Sequence, residues 1–336
     1  MSVQQKVFPP VNRPDAPDID GTKILPKREF EVCNDLLNDR KALEAFYEEN
    51  GYLFFRDVLD QDSVAGARNA MLDIAADEFG LSEKGDPEGK WTGREYPPMS
   101  EERSCFEGIS STLVAHPANQ AVIAKVLGEE PMMVPIVQYR LYPPNGPVTV
   151  IHQDGFFSPG IHDYKPLWIP LVPCPREVGG LMIAVGHNQK GYLHNIARQP
   201  PYPLPADMID PDSWATADFE PGDLLVVHPC SPHGSTPNRS DRLRVSFDTR
   251  VQSAKNPTTF RALVQSVTPQ SVTVKGDDRN VGSMTLSLDP ESFVRIRDYG
   301  RREEFSDFAT VIEPGMDLVV VREEGRCAML RRASPV

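Results

Sequence analysis

The chain has 336 residues, 40% of them hydrophobic and 25% charged, which is ample for one large core and too apolar for a disordered chain. Its formal net charge of −13 argues against nucleic acid and anionic membranes as partners and leaves a small molecule as the expected one. The five cysteines form no CxxC pair, the N-terminus has no apolar leader and no run is long enough to span a bilayer, so the expectation is a cytoplasmic protein with reduced thiols.

Residues 1–39 read as an N-terminal arm, Pro- and Asp-rich and without clear periodicity over their first thirty positions. RKALEAFYEEN, from residue 40, predicts a short amphipathic helix ended by Gly51, and YLFFRDV a strand. Val64, Ala67, Ala70, Met71, Ile74 and Ala75 recur at helical spacing, which predicts a helix between Asp60 and Phe79. Residues 82–104 are polar, rich in Gly and Pro, and long for a loop, and we expect a mobile lid over the substrate mouth. A further helix is expected over 117–128. From about residue 131 the texture changes. MMVPIVQYRLY, VTVIH, LWIPLV, GLMIAV, DLLVVH and RLRVSFDTRV alternate with Pro/Gly turns, which argues for an antiparallel sandwich or small barrel. Residues 255–336 hold weaker strand-like runs (SVTVKG, MTLSL, DLVVVRE). They are expected to form a β-rich C-terminal extension packed on the main domain at 40–254. A homodimer is left open.

The residues that carry chemistry lie in the β-rich part. His152-Gln153-Asp154 follows VTVI, and strand alternation would turn His152 and Asp154 to one face, within reach of one metal ion. Such a triplet arises often by chance and means little alone. Downstream, PGDLLVVHPCSPHG offers a second imidazole from either His228 or His233. Two histidines and one carboxylate on a β scaffold leave coordination positions open, which suits iron(II) and oxygen chemistry. In RLRVSFDTRV, alternation sets Arg244, Ser246, Asp248 and Arg250 on the face opposite Val245, Phe247 and Thr249. An arginine facing inward needs an anion, and its planar fork matches a carboxylate. Arg242 and Arg250 are weaker candidates for that job.

HQD, then GGLMIAVGHNQKG, then PGDLLVVHPCSPHGSTPNRSDRLR resembles the phytanoyl-CoA dioxygenase family of iron(II)/2-oxoglutarate oxygenases in order and spacing, and GYLFFRDVL fits the family's opening. The resemblance covers residues 40–254. It implies a mainly β fold with flanking helices, a double-stranded β-helix (a jelly roll of the cupin kind). It implies His152, Asp154 and His233 as iron(II) ligands, with His233 preferred over His228. It implies Arg244 as the arginine that holds the far carboxylate of 2-oxoglutarate, with Ser235 assisting, Trp168 lining the cosubstrate pocket and Gln138 a further contact. His187 is read as structural; His162 and His194 either touch substrate or are exposed loop residues, with the loop reading preferred. Iron(II), 2-oxoglutarate and O2 are the implied cofactors, with ascorbate as an in-vitro reductant. The implied reaction is C–H oxidation of a small organic molecule, hydroxylation first, with release of succinate and CO2. Desaturation or cyclisation would use the same ligands. A non-catalytic cupin-like binding protein is the contrasting reading. Two departures stand out: Gly186 directly precedes His187 where the family has Ser or Thr, and about 80 residues extend beyond the usual barrel.

Overall fold

The computed structural model describes residues 10–95, 106–157, 164–197, 203–276, 281–297 and 302–333. From residue 10 on, the N-terminal arm is integrated into the fold. Its β1 (Arg28–Glu29) pairs in parallel with a later strand, and Phe30 and Cys33 are buried in the main core. Helix α1 (Arg40–Asn50) begins where the Asp39 carboxylate accepts from the Ala42 amide, and stops at Gly51, whose left-handed φ of 79° a side chain would resist. Strand β2 (Tyr52–Phe55) follows, wholly buried. Asp60 then caps α2 (Gln61–Asp77) by accepting from the Ser63 amide. Of the six residues that predicted this helix, Val64, Ala67, Met71 and Ala75 are buried, and Leu72 joins them. Helix α4 (Pro117–Leu127) has proline in its first turn and the left-handed Gly128 behind its end.

Helix α3 (Phe106–Ala115) was not expected. Its Gly, Ser and Thr are poor helix formers, and it is held by burying Phe106, Leu113 and Val114 in the main core. Phe106 stacks on Tyr139 with ring centroids 3.5 Å apart.

Two sheets make the jelly roll. The remaining strands of this part are β3 (Pro131–Tyr142), β4 (Tyr164–Pro170), β5 (Leu181–Ala184), β6 (Trp214–Thr216), β7 (Leu224–Val227), β8 (His233–Ser235) and β9 (Arg244–Ser253). The larger sheet runs β2-β7-β4-β9-β3 and the smaller β1-β6-β5-β8. The pairings within the larger sheet are all antiparallel. Helices α1 to α4 contribute to one core with Val245, Phe247 and Val251, the outward-facing residues of β9. That leaves Arg244, Ser246, Asp248 and Arg250 for the interior between the sheets, as strand alternation requires. The predicted strand VTVI forms no extended ladder. Prolines at 143, 144 and 147 remove donors just upstream, and the pairing is reduced to an isolated bridge at His152.

Beyond β9 the chain builds a third sheet: β10 (Thr259–Thr268), β11 (Ser271–Gly276), β12 (Ser283–Ser287), β13 (Phe293–Arg295), a short helix α5 (Phe308–Val311), β14 (Asp317–Glu323) and β15 (Arg326–Arg332). The order is β12-β11-β10-β14-β15-β13, and a parallel pair between Ser287 and Arg326 joins β12 back to β15, closing a ring. Phe260, Val272, Val274, Leu286, Phe308 and Leu330 form a core of its own. The ring rests on the jelly roll through Tyr164, which is buried with Val321, Ala328 and Met329 and flanked by Ile136.

Candidate functional site

The smaller sheet and the segment after β3 meet at His152 and His233. The two backbones exchange amide-to-carbonyl bonds, 2.9 Å each way, and the imidazole centroids stand 4.3 Å apart. Each ring is oriented in the same manner. His152 Nδ1 lies 2.8 Å from the Val150 carbonyl and His233 Nδ1 lies 2.9 Å from the Ser231 carbonyl. A carbonyl can only accept, so each Nδ1 carries the proton and each Nε2 keeps a lone pair for a ligand. Asp154 opens a 3-10 turn, and its Oδ1 lies 3.4 Å from His152 Nε2. One ligand atom from each of His152, Asp154 and His233 falls within 4.8 Å of the others.

The electrostatics favour a cation. Burial alone would raise the Asp154 carboxyl, but Arg250, 3.2 Å away, and the two imidazoles outweigh it and hold it well below the usual carboxylate range. Burial, with His152 alongside, pushes His233 down to about 4, so this imidazole is neutral near pH 7. An ionised carboxylate and a neutral imidazole are the states a metal takes up without displacing protons.

Arg244 lies deeper, only 1% exposed. Its Nη2 donates to Ser235 Oγ at 2.9 Å and its Nη1 to the Thr236 carbonyl at 3.3 Å, while its guanidinium sits 4.4 Å from the Tyr142 ring centroid. No carboxylate among the described residues pairs with it, and Nε has no hydrogen-bond partner. Burial accordingly pulls its pKa down. Ser246 Oγ, one step along the same face, is buried and equally without a partner. A buried cation with an open donor beside an open hydroxyl is a cradle for an anion.

The other expected residues are placed as follows. His228 is not part of the cluster: its Nδ1 accepts from the Cys230 amide at 3.0 Å and its ring packs against Tyr47. Arg242 faces outward to Glu88 and Asp241, and Arg250 is engaged with Asp154. Trp168 pairs with Asp248 in the ladder, and its ring meets Phe219 edge-on in the main core, 4.7 Å between centroids. Gln138 also stands opposite Asp248; its side chain is outside the described residues. His187 is structural in its contacts, with Nδ1 toward the Val185 carbonyl and Nε2 accepting from the Asp210 amide. His194 is not the exposed loop residue expected. It is fully buried, stacked on Phe156 at 4.2 Å, and its Nε2 accepts from the Gln153 amide. His162 lies outside the described residues. So do residues 96–104 of the expected lid. The described part, 82–95, is pinned to the approach of β9: Leu243 donates to the Gly89 carbonyl and Trp91 to that of Asp241. Cys33, Cys174, Cys230 and Cys327 are buried free thiols.

Three interior features went unseen in the sequence. Tyr142 lies against Arg244. Arg140 pairs with Asp248, its Nε and Nη2 at 2.8 and 2.6 Å from Oδ2. Gln153, the middle of HQD, is a clamp. Its amide nitrogen donates to the carbonyls of Gly191 (2.6 Å) and Cys230 (2.7 Å), and its oxygen accepts from the Leu193 amide (2.6 Å). This residue turns away from the ligands and ties two further segments to them. Gln153→Leu would strand all three buried backbone groups, each worth about 1–3 kcal/mol. The expected loss of stability is at least about 3 kcal/mol, read as a lower urea midpoint at unchanged m-value.

A pH dependence follows from His228. Burial, then Lys165, hold it down at about 4, whereas in the unfolded chain it titrates near 6.5. The unfolded state therefore binds more protons between those values, and this contribution to stability is lost as pH falls from about 6.5 to about 4. The span of roughly 2.5 units corresponds to about 3 kcal/mol at its lower end. Denaturant titrations across that range should show a steeper acid decline in the parent than in His228→Asn; parallel curves would refute the assignment.

Comparison with known proteins gives three findings. A family model described as phytanoyl-CoA dioxygenase (PhyH) matches residues 47–246. The 1-deoxypentalenic acid 11-beta-hydroxylase of Streptomyces arenae is 33% identical over 258 residues, 70% of this chain and 89% of that protein, and its namesake from Streptomyces exfoliatus is 31% identical over 250 residues, 69% and 87%. Among solved structures, EctD from S. alaskensis with 2-oxoglutarate and 5-hydroxyectoine matches 75% of this chain and 88% of its own at 18% identity, with a TM-score of 0.49.

Proposed function

The chain belongs to the phytanoyl-CoA dioxygenase family and is an iron(II)/2-oxoglutarate-dependent oxygenase, and from that premise we propose that it hydroxylates a C–H bond of a small carboxylic acid of secondary metabolism. The observation that carries the residue assignments is one juxtaposition: a His-Asp-His cluster with convergent ligand atoms, on the same scaffold as a buried arginine that no carboxylate among the described residues pairs with. The substrate class rests on the two relatives, whose names state an organic acid and hydroxylation.

His152, Asp154 and His233 hold the metal in this reading. The three residues suit iron(II) in donor type and in number, since three protein ligands leave room for a chelating cosubstrate and for oxygen. Iron(II) with 2-oxoglutarate, when bound, supplies oxygen activation coupled to release of succinate and CO2. The chain's own residues provide the geometry. The Val150 and Ser231 carbonyls fix both rings with Nε2 turned to the ligand side. Arg244 gives its open donor to the far carboxylate of the cosubstrate, with Ser235 setting its fork and Tyr142 its plane. The buried walls around Arg244 keep that ion pair out of water, where it is strongest. Gln138 and Trp168 both stand opposite Asp248 in the ladder, which supports keeping them as candidate contacts of the cosubstrate.

The carboxylate at position 154 also bears on the outcome. Asp154 would hold the place at the metal that a halide would otherwise need, beside His152 and His233. Hydroxylation is therefore expected even in chloride buffer. Incubation with iron(II), 2-oxoglutarate, ascorbate and a panel of small carboxylic acids, under isotopically labelled O2, tests this. The expected product is heavier by one oxygen atom derived from O2, formed with succinate. A chlorinated product from the unmodified enzyme would defeat the assignment.

A further inference from the structure

Arg250 was a rival for the cosubstrate carboxylate, yet it is spent elsewhere. It is buried, its Nη2 lies 3.2 Å from Asp154 Oδ1, and its Nη1 reaches the Ile136 carbonyl at 3.4 Å. Asp154 is the carboxylate it pairs with among the described residues. We propose that Arg250 is a positioning residue: it holds the Asp154 carboxylate in the orientation in which it meets the metal. This inference rests on the reading of His152, Asp154 and His233 as ligands.

Three observations carry it. Asp154 is the first residue of a short 3-10 turn, so its backbone is not fixed by a ladder on either side as that of His233 is. The backbone of His152 exchanges two bonds with His233, and the Gln153 clamp and the Gly155 amide on the Pro229 carbonyl (2.9 Å) anchor the backbone on either side of Asp154, which leaves the rotation of its carboxylate to be set by a side-chain partner. Arg250, by contrast, sits in the middle of a ten-residue strand paired on both edges, opposite Pro166 on one side and Val134 on the other. The strand-borne guanidinium therefore sets the rotation of a carboxylate that the backbone bonds beside it do not fix. Arg250 is in turn backed by the irregular stretch of β3 between Val134 and Gln138, where Ile136 supplies its carbonyl. The C-terminal ring presses on the same stretch. Ile136 packs against the Tyr164–Val321–Ala328–Met329 cluster, and Arg331 of β15 reaches the Pro135 carbonyl at 3.4 Å. The extension thus supports the wall that carries the orienting arginine.

Charge and position predict opposite signs, so the idea is testable. A guanidinium beside a metal-binding carboxylate repels a dication and draws on the carboxylate's charge. Were Arg250 only a counter-charge, its removal would tighten metal binding. Were it a positioning residue, removal would weaken binding by about 10- to 100-fold, the scale for losing an outer-shell partner of a metal ligand. The experiment is anaerobic titration of the full chain with iron(II), and with cobalt(II) as a redox-silent probe read from its visible spectrum. Arg250→Met, Arg250→Lys and His152→Ala are compared with the parent. The expected result is weaker binding of both ions in Arg250→Met, partial recovery in Arg250→Lys, which keeps the charge without the fork, and an altered cobalt spectrum in both. Unchanged or tighter binding in Arg250→Met, with metal lost in His152→Ala, overturns the proposal and leaves the ligand assignment standing. Metal retained in His152→Ala overturns the ligand assignment instead. Should Arg250→Met not fold, Arg250→Lys decides: about 10-fold weaker binding supports positioning, and parental affinity refutes it.

Discussion

His233→Ala is expected to abolish turnover and to lower iron(II) affinity by more than the ~100-fold that loss of an outer-shell partner costs, because it removes a ligand atom and not a support. The ring is buried, neutral at working pH and aimed by the Ser231 carbonyl, so none of its affinity is spent on deprotonation or on ordering a loose side chain. The fold should survive, since the backbone exchange with His152 does not need the imidazole. Metal analysis of purified protein, with circular dichroism for the fold, checks both halves. The companion variant His228→Ala should keep its metal, as His228 is committed to the Cys230 amide and to Tyr47. Full retention of iron in His233→Ala with loss in His228→Ala would transfer the role.

Arg244→Met should separate two effects that a less buried arginine would confound. Affinity for 2-oxoglutarate is expected to fall by about 3 kcal/mol, roughly a hundredfold, the lower end of the scale for breaking a buried charge pair. The stability of the cosubstrate-free protein should be unchanged or higher. There, Arg244 is a buried cation with no carboxylate opposite among the described residues, and replacing such a charge by an apolar side chain of similar volume removes a desolvation cost. Anaerobic titration followed by the iron(II) charge-transfer band measures the first effect and thermal unfolding the second. Unchanged affinity would sink the assignment. It would not hand the role to Arg242 or Arg250, because both are turned to other carboxylates.

The parts of this protein legible in the sequence are those governed by short periods. Alternation in β9 separates Arg244, Ser246, Asp248 and Arg250 from Val245 and Phe247, and the structure keeps that separation: Val245 and Phe247 belong to the core that includes the helices. The helical spacing of Val64, Ala67, Met71 and Ala75 marked α2 for the same reason. What alternation could not do was tell one inward arginine from the next. Arg244 and Arg250 share a face, and only the return of Asp154, 96 positions before Arg250 in the chain, occupies one and leaves the other open. Gln153 was opaque on the same ground, since its three partners lie 38 to 77 residues away and are backbone groups, which carry no signal in side-chain identity. His194 was misread as exposed because its partners, the Phe156 ring and the Gln153 amide, approach from another segment. Helix α3 was missed because packing, not propensity, holds it. Strand β10 was passed over because Arg261, Gln265 and Ser266 interrupt its apolar pattern.

The parallel contact between Ser287 and Arg326 has a bearing on how copies of this protein meet in a crowded solution. A row of strands normally ends in unsatisfied amides and carbonyls, and these recruit a strand from a neighbouring molecule. Here the row ends in two short strands, five-residue β12, whose last residue is tied back to β15, and three-residue β13, so the described strands of the extension offer only short rims. Self-association that grows by adding strand to strand is thereby discouraged, although the extension lies outside the family's matched span. Any pairing of two copies through this part of the chain would have to use side chains on the outside of the ring, where Leu263 is an exposed apolar residue, and could be broken by a single polar substitution there without disturbing the strands beneath.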